Sequence, residues 1–182
     1  HLLGTETLPE PFDRERIETW QWTAQDVDIR REVEARGEPW GDVSIHEHCA
    51  KRLADGDWDV VFNDDRPGEI ADIVALQSLD SAVKVGLFHC KGAAGEEPSA
   101  RVKDLYTVCG QVVKSTYWIE ASALLGRMGE RSRNGSTFVA GDMPLAEELL
   151  ETTAGKPVRF QVALVQPGIS ADALNDDHLR IL

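Results

Sequence analysis

No apolar run in this chain comes near the roughly 20 residues that a membrane-spanning helix needs, and no basic, apolar and small-residue leader opens it. Cysteine is scarce as well: the 3 present, Cys49, Cys90 and Cys109, are odd in number and show no CxxC spacing. That excludes a complete disulfide framework and a zinc knuckle, and it makes a reducing cytoplasm the expected compartment. Positive charge is the third shortage, with 19 Lys and Arg against 32 Asp and Glu and a net charge of −13. Such a deficit argues against a free-standing, adhesive nucleic-acid binder. It leaves room for an enzyme acting on nucleic acid, because metal-binding carboxylates add to the deficit.

What remains is an ordinary globular composition, 42% hydrophobic and 28% charged over 182 residues, enough for one domain with a proper core. The chain opens on His1, not methionine, and stops abruptly at Leu182, which reads as a piece of a larger protein. Residues 1–43 form a polar extension expected to pack on a core domain at 44–182. Within the extension, RIETWQW alternates like an edge strand, DIRREVEARG reads as a short helix and GEPWGD as a loop.

Ser44 starts a helix through Ile45, Cys49 and Leu53 that stops at Gly56. Three strands follow, DWDVVFNDD, GEIADIVALQ and VKVGLFHCK, with turns at Pro67–Gly68 and near Leu79 to Ser81. After the loop GAAGEEPSA, residues 100–130 are helical by periodicity, with Val102, Leu105, Val108, Cys109, Val112 and Val113 as the buried stripe. Gly110 inside that stripe implies a close approach to the sheet. A basic loop, RSRNGSTFVAGD, leads to a helix at PLAEELLETTAG, a strand at VRFQVALVQPG and a last short helix. The predicted class is α/β (α+β): a central mixed sheet of four or more strands flanked by helices, in the order αβββαβ.

The second and third strands carry the chemistry. Successive strand side chains point to opposite faces, so Asp72 shares a face with Ile70 and Val74, while His89 and Lys91 share one with Leu87 and Val85. A carboxylate among β-branched neighbours is costly to desolvate unless something binds it, and the same holds for a lysine closing an apolar strand. If these strands pair, an acid, an imidazole and an amine meet in one cluster suited to a metal ion and a phosphate.

Those elements and residues resemble the PD-(D/E)xK nuclease superfamily, whose fold is restriction-endonuclease-like. GEIADIVALQ supplies the acid of its second strand as Asp72, and FHCK stands where its (D/E)xK tripeptide ends the third, as His89, Cys90 and Lys91. The run GEIADIV, HCK and ARVKDLYTVCGQ is more narrowly similar to the C-terminal nuclease-like region of bacterial DEAD/DEAH-type helicases. The resemblance covers about residues 44 to 118 and implies metal-dependent DNA cleavage, by an endonuclease rather than an exonuclease, inside a helicase-linked or phage-defence protein. Its partners would be DNA and the other domains or subunits of a larger assembly, with pairing into a homodimer a further option. A nuclease-fold module that binds nucleic acid or protein without cutting is the alternative.

On this resemblance Asp72 is the main ligand of Mg²⁺ or Mn²⁺. His89 and the backbone carbonyl of Cys90 complete the set, Lys91 holds water or phosphate, and Gln111 supports the site from the next helix. His89 departs from the acidic residue of the family, and imidazole suits Mn²⁺ better than Mg²⁺. Glu47 has two readings: a family-type extra ligand from the first helix, or half of the capping box that Ser44-x-x-Glu47 spells. Glu69, Asp64 and Asp65 read first as solvated turn residues. His46 and His48, two apart, do not share a helix face, so a zinc site built from them with His89 and a cysteine is not expected. Arg101, Lys103, Lys114, Arg131 and Arg133 are the candidate phosphate track.

Overall fold

A computed structural model describes residues 12–21, 26–32, 44–65, 67–98, 101–151 and 156–182. The alternating segments pair as an antiparallel meander of β1 (Val60–Asn63), β2 (Ile73–Ser78) and β3 (Val83–Cys90). Its first turn passes through Gly68 at φ +84°, left-handed backbone that glycine enters without a steric penalty. Its second is closed by the Leu79 amide donating to the Ala82 carbonyl. β5 (Val158–Val165) runs parallel to β3, and β4 (Thr137–Ala140) pairs antiparallel with β1. The result is a five-stranded mixed sheet in the order β4-β1-β2-β3-β5. A parallel neighbour needs a long crossover; α2 (Val102–Ser115), α3 (Ala121–Arg133), β4 and α4 (Met143–Glu151) lie along it.

Alternation divides the core into two layers. Val60, Phe62, Val74, Leu76, Val85 and Leu87 pack with Leu124, Met128 and Leu149 of α3 and α4. On the other face Val61, Ile73, Ala75, Phe88 and Cys90 pack with Ile45, Cys49, Ala50 and Leu53 of α1 (Ile45–Ala54). β3 needs its central glycine: a Cβ on Gly86 would sit 2.5 Å from the Phe88 ring and 2.8 Å from Trp58.

Several sequence expectations are corrected. The basic loop after α3 contains β4, which is only four residues long; Phe138 on it packs against Phe62 with ring centroids 4.8 Å apart. The helix expected over 100–130 is broken, α2 giving way to a 3-10 turn at Thr116–Trp118 before α3. On α2, Leu105 is buried, but Val102 and Val113 are exposed, and Gly110 has nothing within 4 Å of where a Cβ would stand. No close approach explains that glycine. The side chain of Val108 lies outside the described residues.

The extension forms neither an edge strand over 16–21 nor a helix over 28–32; a 3-10 turn at Arg14–Arg16 is its one regular element among the described residues. Residue 22 and residues 33–43, with the rest of that expected helix and loop, and 152–155 lie outside the described residues. The described part does pack on the core. The Phe12 amide donates to Leu179 of α5 (Asp176–Leu179), the Ile45 amide to Arg31, and the Ala93 amide to Ile29. Among the described residues, no helix is long and apolar enough to cross a membrane.

Candidate metal centre

The site sits where β2 and β3 part. Their ladder begins at Ile73 opposite Phe88, yet β3 runs on to Cys90 in register with Val165 of β5. Into the gap goes the carboxylate of Asp72, whose Oδ2 accepts the Cys90 amide at 2.7 Å. Asp72 is 4% exposed. Two imidazoles flank the same oxygen: His89 Nδ1 at 3.7 Å and His46 Nε2, from the first turn of α1, at 3.8 Å.

The neighbours of His89 fix its tautomer. Its Nε2 lies 2.5 Å from Ser115 Oγ at the end of α2, and that hydroxyl donates its one proton to the Ile70 carbonyl at 2.9 Å. Ser115 therefore accepts from His89, so Nε2 carries a proton and Nδ1 is the ring nitrogen turned toward Asp72. Nδ1 has no hydrogen-bond partner, and neither ring nitrogen of His46 has one. Buried polar atoms without partners are costly. A lone pair facing a carboxylate is favourable only with a proton or a metal cation between them.

Further acids surround this centre. Asp65 Oδ2 stands 3.5 Å from His46 Nδ1, an ion-pair distance. Burial pulls the His46 imidazole down, and Asp65, Asp72 and Glu32 together outweigh it and hold the ring above its ordinary value. Glu69, half-buried, is pushed above the usual carboxylate range by burial and by Asp72 and Asp65. The Cys90 thiol is pushed well up by its hydrogen bond with Cys49 and by burial.

The turn carrying these acids is locked from below. Asp64, read from the sequence as a solvated turn residue, is fully buried. It pairs with Arg131 of α3, accepts from Ser136 Oγ at 2.7 Å and from the Ile70 amide at 2.8 Å. Arg131 also donates to the carbonyls of Pro67 at 3.0 Å and Asp64 at 3.1 Å. Arg131 is thus a clamp on the turn and not part of a phosphate track.

The other expected residues scatter. Lys91 follows directly on the site, but its ammonium is held by Glu32 of the extension, and it forms no ion pair with Asp72. Glu32 also accepts the Gly92 amide at 3.2 Å, and its carbonyl accepts the amide of His46. Glu47 completes the capping box: its Oε2 accepts from the amide and hydroxyl of Ser44. It is not in the buried metal-ligating group. Gln111, half-buried one turn before Ser115, leaves Oε1 without a partner. Arg101 forks onto Asp104 at 2.8 and 3.0 Å, while Lys103, Lys114 and Arg133 are exposed. His48 points elsewhere, into a cleft of about 650 Å³ that it lines with Trp20, Arg52, Trp58 and Lys84.

Among the described residues, His46, Asp72 and Cys90 form one buried group able to hold a metal ion, their ligand atoms all within 4.8 Å of one another. Sequence reasoning missed His46 and the Cys90 thiol as members of this group, and Asp65 and Ser115 as the neighbours of its imidazoles. No protein-family model matches this chain, and no curated protein or solved structure matches it significantly.

Proposed function

We propose that this chain is a metal-dependent phosphodiesterase acting on DNA, the nuclease part of a larger helicase-linked or phage-defence protein in the reducing cytoplasm. The observation that carries the reading is Asp72: a buried carboxylate flanked by two imidazoles whose facing nitrogens lack hydrogen-bond partners. Asp72 and His89 would hold Mg²⁺ or Mn²⁺ with the Cys90 carbonyl, and the nitrogen donor favours Mn²⁺. Such an ion polarises a phosphoryl oxygen and lowers the pKa of an attacking water. Ser115 keeps the His89 ring in the ligating tautomer, and Asp64 with Arg131 fixes the turn that delivers Asp72. Glu32 stores the Lys91 ammonium beside the site, where an entering phosphate competes for it and gains a cation against its developing charge.

The non-catalytic module remains the second reading, on one specific ground. Lys91 is already neutralised by Glu32, Glu47 is engaged in the helix cap, and a histidine stands at the third-strand acid. Incubation of supercoiled plasmid with Mn²⁺ or Mg²⁺ separates the two. The hydrolase reading expects nicking or linearisation that disappears in Asp72→Ala and falls by about 10²–10³-fold in Lys91→Ala, the cost of removing one transition-state charge partner. Cleavage that persists unchanged in both variants refutes this site. DNA binding without cleavage under either ion supports the module.

A further inference from the structure

The α1 side of the same carboxylate offers a softer donor. Cys90 belongs to the layer beneath α1 and His46 stands on the first turn of that helix, and with Asp72 they bring a nitrogen, a sulfur and an oxygen within 4.8 Å of one another. His46 is 3% exposed, Asp72 4% and Cys90 0%. Asp65 sits behind Nδ1 of His46 at 3.5 Å, while Nε2 faces Asp72 at 3.8 Å. A carboxylate behind one ring nitrogen, with the other turned toward the donor set, is how metal-ligating histidines are oriented. Mg²⁺ takes oxygen ligands in near-octahedral geometry and gains nothing from a sulfur. Zn²⁺ and Co²⁺ accept mixed S, N and O ligands.

We propose that His46, Asp72 and Cys90 form a site for a borderline divalent transition ion of the Zn²⁺ class, bound through imidazole, carboxylate and thiolate with a fourth position for water. Three protein ligands and one open position is the arrangement of catalytic zinc sites. Cys49, one turn along α1 from His46 and fully buried, contacts the Cys90 thiol but falls outside the donor group. It acts as the hydrogen-bonding neighbour of the ligating sulfur. When the ion binds, Cys90 loses its Sγ proton to solvent and the metal–sulfur bond takes its place. The site requires no assumption about DNA; it shares Asp72 with the hydrolytic ion, so Zn²⁺ and Mn²⁺ compete for one carboxylate.

The test is a Co²⁺ titration of the whole chain under reducing conditions, followed by absorption spectroscopy. The proposal expects one ion per chain, the visible bands of four-coordinate Co²⁺ and a near-ultraviolet thiolate-to-cobalt charge-transfer band. Equimolar Zn²⁺ displaces the ion, and a large excess of Mg²⁺ does not. Cys90→Ser loses the charge-transfer band; Cys49→Ser keeps it. Should Cys90→Ser fail to fold, zinc-edge X-ray absorption on the wild-type protein decides the matter by showing one sulfur neighbour. A six-coordinate spectrum without the sulfur band, a zinc shell without sulfur, or no retained ion overturns the proposal. DNA cleavage without the band removes this site and leaves the hydrolase reading standing; the band without cleavage does the reverse.

Discussion

Glu69 stands half-buried against Asp72 and Asp65, and its carboxyl is lifted above the usual range mainly by burial. The native chain therefore holds that proton more tightly than the unfolded chain does. Stability falls as pH rises from the unfolded pKa through the folded one, and the penalty stays in full above it. Glu69→Gln should melt higher than wild type at neutral pH, with the difference closing as the solution is made acid. A thermal melt series from neutral to acid pH checks this, and a gap independent of pH would contradict it. At this scale the sequence was partly legible. Asp72 and His89 stand out because each breaks an apolar run, and the two do meet, although Asp72 lies just before β2 and not inside the strand whose faces the sequence assigned. His46 was hidden by its neighbour: Glu47 is the acid one looks for on that helix, yet the Ser44 spacing that caps the helix also occupies Glu47. Ser115 left no pattern at all, since a hydroxyl at a helix end matters only once the opposing strand is placed.

Between elements, the clamp of Arg131 on the turn from Asp64 to Ile70 does the positioning. Asp64 is fully buried, and removal of the guanidinium leaves its charge without a counter-ion. Arg131→Met should cost about 3–5 kcal/mol, the range for breaking a buried pair from one side, measured as the change in urea-unfolding free energy. Loss of DNA affinity at unchanged stability would instead restore Arg131 to the phosphate track. The meander and β5 were legible because each is long enough to show its period. β4 was not: four residues between glycines cannot display alternation, and its pairing with β1 is a tertiary decision. α2 misled for a different reason. It carries two apolar stripes, one through Leu105 and one through Val102, Tyr106 and Val113 that continues into Tyr117 of the following 3-10 turn, and periodicity alone does not say which faces the sheet. The second is the exposed one, with Tyr106 63% and Tyr117 81% accessible.

For the whole molecule, the net charge of −13 makes long-range attraction to DNA weak, so the proposed binding would rest on a few local cations. Lys103, Lys114 and Arg133 are exposed and remain available, whereas Arg101 is forked onto Asp104. If DNA is the substrate, Lys103→Ala or Lys114→Ala should weaken binding about equally for all sequences and lower the salt-dependence slope by about 1 each. Anisotropy titrations at several salt concentrations measure that slope; no change would exclude this face. The gap between β2 and β3 carries one more consequence. The Cys90 amide is shielded not by a neighbouring strand but by a side chain, so its exchange with deuterium tracks the occupancy of a single carboxylate oxygen. One backbone proton thereby becomes a reporter of whatever settles on Asp72, readable without any enzymatic assay.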